Sequence, residues 1–146
     1  MPAVPGFTID QERIPALSDL RERIEAIALK HGLDLVVVFG SRASGRGRPD
    51  SDVDLAIGAE SPLEFPRLLD VTGDLQEVFG GIRADVSELR RADPLFLRKI
   101  FESGVCLFER LGKFEDARLR ALHRYEDYRP FLKLERESVR RALGLR

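Results

Sequence analysis

Residues 35–57 read LVVVFGSRASGRGRPDSDVDLAI, and this stretch decides the fold prediction for the whole chain. Residues 35–39 are continuously apolar, which predicts a central strand covered on both faces. Residues 51–58 alternate apolar and polar positions, which predicts a second strand whose polar face carries Asp52 and Asp54. A Gly40-Ser41 turn and a loop rich in glycine and arginine connect the two strands.

The rest of the sequence alternates helical and strand patterns. Apolar positions at three- and four-residue spacing predict helices over residues 15–31 and 63–79. The Asp93-Pro94 pair predicts the start of another helix, which ends at Gly104. Short strands are predicted at residues 83–89, which include Asp85, and at residues 105–108. This alternation predicts an α/β fold.

Residues 110–146 form a predicted charged, helical C-terminal extension to a core of residues 1–109. Because proline disfavours helix at the residue before it, we expect one helix to end near Tyr128 and a second to run from Pro130 to Leu143. The core carries 13 basic and 19 acidic side chains, a net charge of −6, and the extension carries 11 and 6, a net charge of +5. The basic residues alternate with acidic ones and no recognised RNA-binding module is present, so we expect no direct nucleic-acid binding.

The composition is typical of a soluble globular protein of one compact domain, with 43% hydrophobic and 34% charged residues among 146. The sequence contains no apolar run of membrane-spanning length and starts without a signal-peptide pattern, so a cytoplasmic location is expected. Cys106 is the only cysteine, which excludes an internal disulfide, and we expect it to be a small buried hydrophobic residue. His123, on a charged helix, is expected at the surface.

Asp52 and Asp54 are candidate metal ligands. Their spacing on a strand places both carboxylates on one face, and Asp85 would join them from a neighbouring strand. Three converging carboxylates repel one another, and oxygen ligands suit Mg²⁺. The alternative is an ordinary strand whose exposed face happens to be acidic.

Gly40 and Ser41 are candidate phosphate-binding residues. A glycine directly after a buried strand lets a phosphate approach the backbone, and the serine hydroxyl adds a donor. Arg42 and Arg48 lie between this turn and the aspartate strand, where a guanidinium would neutralise the β and γ phosphates of a nucleotide. Arg46, in the same loop, is better explained as a solvated charge.

These residues together resemble the nucleotidyltransferase superfamily related to DNA polymerase β, and within it the minimal nucleotidyltransferases (MNT). The resemblance covers about residues 15–109 and rests on the Gly-Ser turn, the SDVDLAI segment and the ADV segment at Asp85. The segment HRYEDYRPFLKLERE, residues 123–137, resembles the tail of the antitoxins from HEPN/MNT toxin–antitoxin pairs.

The resemblance implies a single polymerase-β-like domain with a mixed sheet flanked by helices. It also implies that Asp52 and Asp54 bind two Mg²⁺ ions, and that Asp85 completes one of these sites and assists deprotonation of the acceptor. ATP would be the co-substrate, and the acceptor would be a tyrosine of a cognate HEPN RNase toxin, which AMP transfer neutralises.

Two other functions stay open. The chain would be a non-enzymatic antitoxin if it covered the toxin surface and its metal site were vestigial, although the intact aspartate set argues against this. It would be a small-molecule nucleotidyltransferase if it built an acceptor pocket, although its short length argues against that.

Overall fold

The computed structural model describes residues 17–43 and 51–145, and within them the chain forms four α-helices and four strands. The elements in chain order are α1 (Leu17–His31), β1 (Leu33–Phe39), β2 (Val53–Ala59), α2 (Phe65–Val78), β3 (Ala84–Glu88), a 3₁₀ turn (Leu89–Arg91), α3 (Pro94–Ser103), β4 (Val105–Glu109) and α4 (Lys113–Ala142). The predicted α/β fold is therefore confirmed.

The four strands form one mixed sheet in the order β3-β2-β1-β4. β1 pairs antiparallel with both β2 and β4, while β2 pairs parallel with β3. The parallel pair requires a crossover, which α2 provides. As a result, the end of β1 and the starts of β2 and β3 meet at one edge of the sheet.

Helices cover both faces of the sheet. α1 and α2 pack on one face in a large apolar core, to which β2 contributes Val53, Leu55 and Ile57. α3 and the first part of α4 pack on the other face, where Ala56 belongs to a smaller core with Leu97. β2 thus alternates between two cores, as its sequence pattern predicts.

Most predicted boundaries that lie in the described residues agree with the structure to within two residues, including the end of α1 and both ends of α2 and α3. Asp93 caps α3, because its Oδ1 accepts a hydrogen bond of 2.8 Å from the backbone N–H of Phe96. Gly32 follows α1 with a φ of 67°, as expected of a glycine that ends a helix. The predicted start of α1 at residue 15 lies outside the described residues.

The predicted break at Pro130 is wrong. α4 runs without interruption from Lys113 to Ala142 and contains Pro130 in its interior. Proline removes one backbone hydrogen bond and normally costs about 3 kcal/mol in a helix interior. Here Pro130 is exposed, so water can reach the carbonyl that loses its partner, and strong helix formers such as Arg129 and Leu132 flank it.

Within the described parts of the chain, no helix combines the length and the apolar character that crossing a membrane requires.

Candidate active site

Asp54 and Asp85 lie side by side at the open edge of the sheet. They are register partners on the parallel strands β2 and β3, so their side chains point to the same face. Asp54 is half-buried and Asp85 is exposed. The structure therefore brings together two of the three aspartates that the sequence suggests as metal ligands.

Gly40 lies directly against the Asp54 carboxylate. Phe39, the residue before it, is the register partner of Asp54 across the β1–β2 pair. Gly40 adopts a φ of 76°, and a Cβ atom at this position would clash with Oδ2 of Asp54. Only glycine provides both this backbone conformation and this close approach. Ser41 follows in an exposed turn, so the Gly-Ser turn and the aspartates share one location.

The pKa of Asp54 is raised above its usual value. Burial is the main cause, and the negative charge of Asp85 is the next, with a smaller contribution from Asp52. The charge of Lys99 acts in the opposite direction and lowers the pKa of Asp54. The negative charges of Asp85 and Asp52 therefore act on the Asp54 carboxylate, and a bound cation would relieve this repulsion.

Asp52 lies just before β2 rather than within it. Its Oδ2 is 4.0 Å from Nε of Arg83, and both side chains are largely exposed. Among residues 17–43 and 51–145, no three histidine, cysteine, aspartate or glutamate side chains converge into a metal-binding group. Asp52 is thus near the Asp54–Asp85 pair but does not join it in a closed cluster.

Arg42 is buried, with 3% of its surface exposed, and binds the backbone on the far side of the loop. Its Nε and Nη2 donate hydrogen bonds of 2.9 and 2.6 Å to the carbonyl oxygen of Ser51. This arrangement ties the turn after β1 to the residues that precede β2. Arg48 and Arg46 lie outside the described residues.

Lys99 is a site residue that the sequence reasoning missed. It is exposed on α3, and its charge reaches Asp54. The same helix touches the site through Phe96, whose ring meets the ring of Phe39 edge to face at 5.6 Å. The local sequence around a helical lysine does not indicate which strand it will lie near. Only the folded structure shows that Lys99 is close to Asp54.

Cys106 and His123 have no role in the site. Cys106 is partly buried in β4 opposite Val37, and burial raises the pKa of its thiol to about 11. A thiol with this pKa stays protonated at neutral pH, as expected of a packing residue rather than a nucleophile. His123 is exposed on α4, as predicted.

Residues 22–112 match the Polymerase beta nucleotidyltransferase domain family, which is more than half of the chain. The chain belongs to this nucleotidyltransferase family. A relative from Methanocaldococcus jannaschii, described as a candidate protein adenylyltransferase, is 27% identical over 89 residues, which cover 61% of this chain and 95% of the relative.

Several solved structures share the fold. A toxin–antitoxin complex with AMP-PNP contains a chain with a TM-score of 0.68 and 20% identity, covering 85% of this chain and 98% of its own. A complex of the tri-AMPylated Shewanella oneidensis HEPN toxin with its MNT antitoxin gives a TM-score of 0.65 at 18% identity, covering 88% and 99%. A candidate minimal nucleotidyltransferase has a TM-score of 0.52 at 30% identity, covering 62% and 95%. At 18 to 20% identity, the two complexes support the fold alone.

Proposed function

We propose that this chain is an antitoxin that transfers AMP from ATP to a tyrosine hydroxyl of a cognate HEPN toxin. The observation that carries the proposal is the placement of Gly40 against Asp54, and of Asp54 beside Asp85, in a member of the nucleotidyltransferase family. The similarity to a candidate protein adenylyltransferase and to antitoxins solved with HEPN toxins supports the choice of acceptor. A cytoplasmic location, where ATP is available, belongs to the same proposal.

The residues present fit Mg²⁺. Asp54 and Asp85 offer carboxylate oxygens from adjacent strands, and their repulsion contributes to the raised pKa of Asp54. Asp52, Asp54 and Asp85 would hold the metal ions, two in number as in the related family. Bound Mg²⁺ would supply charge stabilisation for the reacting phosphate.

The chain's own residues bind and orient the nucleotide in this proposal. The absence of a side chain at Gly40 lets the triphosphate approach the backbone, and the Ser41 hydroxyl donates a hydrogen bond to it. Lys99 provides a positive charge at the same location and attracts the phosphates. Arg42 keeps the turn in place through the Ser51 carbonyl, and Arg42 and Arg48 are both candidates for a direct phosphate contact.

The reaction transfers one adenylyl group. The tyrosine oxygen of the toxin forms a bond to the α-phosphorus of ATP, and the bond from that phosphorus to the bridging oxygen of pyrophosphate breaks. Asp85 is more exposed than its neighbour Asp54, and it accepts the phenolic proton of the tyrosine. The products are a tyrosine-AMP ester and pyrophosphate.

We also propose that residues 1–109 form the catalytic core and that residues 110–146 are an extension used in contacts. In support of this division, the family match ends at residue 112, close to the start of α4. Ala121 is the α4 residue that packs most deeply on the core.

The deciding experiment combines this chain, Mg²⁺, labelled ATP and the toxin encoded beside it. Mass spectrometry should find AMP added to a toxin tyrosine, and a nucleotide that cannot be cleaved between its α and β phosphates should give none. Suppressed toxicity without AMP would instead establish the non-enzymatic antitoxin. Adenylylation of a small hydroxyl compound in place of the toxin would establish the small-molecule nucleotidyltransferase.

A further inference from the structure

A cavity lies at the end of the sheet opposite the aspartate site formed by Asp54 and Asp85. It has a volume of about 300 Å³, and the start of β1, the end of β2 and the first half of α4 contribute to its lining. Gly58 lines it four positions after Asp54, so the cavity and the Asp54 carboxylate share one face of β2, about 13 Å apart along the strand. The volume is at the low end of the range typical of small-molecule sites. The cavity is therefore separate from the aspartate site and suits a small ligand.

Basic side chains predominate around the cavity. Lys113, Arg120 and Arg124 line it from one side of α4, and Arg90 lines it from the turn after β3. Arg90 is already engaged, because its Nη2 donates a hydrogen bond of 2.7 Å to the carbonyl oxygen of Glu60. Among the described residues, no carboxylate lies within ion-pair distance of the three α4 cations. These three cations are therefore available to an anionic ligand.

The two acidic residues of the lining do not neutralise the α4 cations. Glu88 is buried, and its charge is compensated by Arg91, whose Nε lies 3.3 Å from Oε2 of Glu88. Asp34 is half-buried, and within the described chain its carboxylate takes part in no hydrogen bond or ion pair. Gly58 leaves room for this carboxylate, since a Cβ there would lie 2.7 Å from Oδ1 of Asp34. Asp34 is thus an acceptor available to a ligand hydroxyl.

The rest of the lining is mainly apolar. Leu35 and Leu97 are buried, and Leu89 and Phe101 are partly buried. The cavity therefore combines cations that suit a phosphate, a carboxylate that suits hydroxyl donors, and carbon surface that suits a flat ring. A ribonucleotide carries all three groups. An acidic protein segment would satisfy the cations but would bring further carboxylates toward Asp34.

We propose that this cavity binds a ribonucleoside monophosphate. Lys113, Arg120 and Arg124 hold its phosphate, and Asp34 accepts hydrogen bonds from its ribose hydroxyls. The bound molecule connects α4 to the sheet and adds to the contact that the buried Ala121 makes. The inference goes beyond the proposed function and needs neither toxin nor AMP transfer, so the two can fail separately.

The test is isothermal titration calorimetry of the full chain with AMP in metal-free buffer, where the aspartate site has no cation to attract a phosphate. AMP should bind, and its affinity should fall as the salt concentration rises. Adenosine should bind at least tenfold more weakly, because it lacks the phosphate. Inorganic phosphate should also bind at least tenfold more weakly, because it reaches neither Asp34 nor the apolar lining.

Two variants of α4 locate the site. Arg120→Ala and Arg124→Ala should each weaken AMP binding about tenfold, because each removes a charge-assisted hydrogen bond to the phosphate. Arg136→Ala is the matched control, because Arg136 is exposed in the distal half of α4, residues 126–142, and does not line the cavity. Gly40→Ala, which changes the aspartate site, should also leave AMP binding unchanged. Circular dichroism checks that each variant is folded.

The proposal is overturned if AMP does not bind at millimolar concentration, or if Arg120→Ala and Arg124→Ala bind it as tightly as the original chain. It is also overturned if Gly40→Ala alone removes binding, since AMP would then occupy the aspartate site. A third contradicting result is that AMP fails to bind while the two arginine variants weaken association with the toxin. The cavity would then receive an acidic segment of that protein.

Discussion

The two faces of β2 differ in what they do for the molecule. Leu55 and Ile57 point into the large core under α1 and α2 and are fully buried. Asp54, between Val53 and Leu55 in sequence, points to the other face and is half-buried. One face therefore stabilises the fold, while the other carries the charges of the site. Substitutions one position apart should separate stability from activity.

Asp54→Asn should have the largest effect on activity. It removes a charge from the proposed metal site, where charge stabilisation is worth several kcal/mol, so AMP transfer should fall by roughly 10³-fold. The measurement is the initial rate of AMP incorporation into the toxin at saturating ATP. A variant that keeps a tenth or more of the activity would contradict the role given to Asp54.

The same variant should not lose stability. Because the folded-state pKa of Asp54 is raised, ionising this side chain disfavours the folded state, and asparagine removes that cost. The gain should be complete above the folded-state pKa and should disappear as the pH falls below the unfolded-state value. Thermal unfolding in metal-free buffer measures it across this range, and a lower Tm at neutral pH would count against the inferred crowding of carboxylates.

Leu55→Ala changes the opposite face of β2 and should act on stability alone. Leu55 is fully buried, so the cavity should cost about 2–5 kcal/mol of unfolding free energy. Activity per folded molecule should stay close to that of the original chain. Urea unfolding together with AMP transfer at low temperature tests both statements, and a specific activity that falls as far as in Asp54→Asn would show that the two faces are not separable.

Gly40→Ala changes the contact between the turn after β1 and the Asp54 carboxylate. The new methyl group would push the Asp54 carboxylate aside, so transfer should fall by about 10²-fold, while the positive φ costs about 1 kcal/mol of stability. Gly81→Ala is the control, because Gly81 has a similar φ of 80° and no atom of the described residues lies within 4 Å of the position a Cβ would take. Equal activity losses in both variants would mean that strain, rather than the Asp54 contact, is responsible.

Lys99→Met should have the smallest effect. It removes a charge that attracts the phosphates but no proposed metal ligand, so we expect about a tenfold rise in KM for ATP with little change in kcat. Lys133→Met, an exposed lysine in the distal half of α4, serves as the comparison. If kcat falls and KM does not, Lys99 acts on the transition state instead.

Much of this arrangement could be predicted from the sequence. The alternation in residues 51–58 identifies β2 and its two faces, and the Gly-Ser turn after an apolar run locates the edge of the sheet. The pairing of Asp54 with Asp85 depends on strand order and register, which local patterns do not encode. The resemblance to a known family supplied that information.

Other features could not be read from the sequence. Arg42 resembles any loop arginine until the fold places it beside the Ser51 carbonyl, and Lys99 resembles any lysine on a helix. The break predicted at Pro130 follows a local preference that holds for most helices. The favourable residues on both sides of this proline outweigh the preference here.

The position of β1 has a consequence for the synthesis of the protein. β1 lies between β2 and β4, and its partners in β4 come about 70 residues later in the chain. Contacts between such distant segments form slowly, because a long loop must close first. Asp54 and Asp85 both leave the ribosome before β4 has been synthesised and can join the sheet. We therefore expect a nascent chain to become active only after β4 has emerged, which leaves an interval in which the protein is being made but cannot yet act.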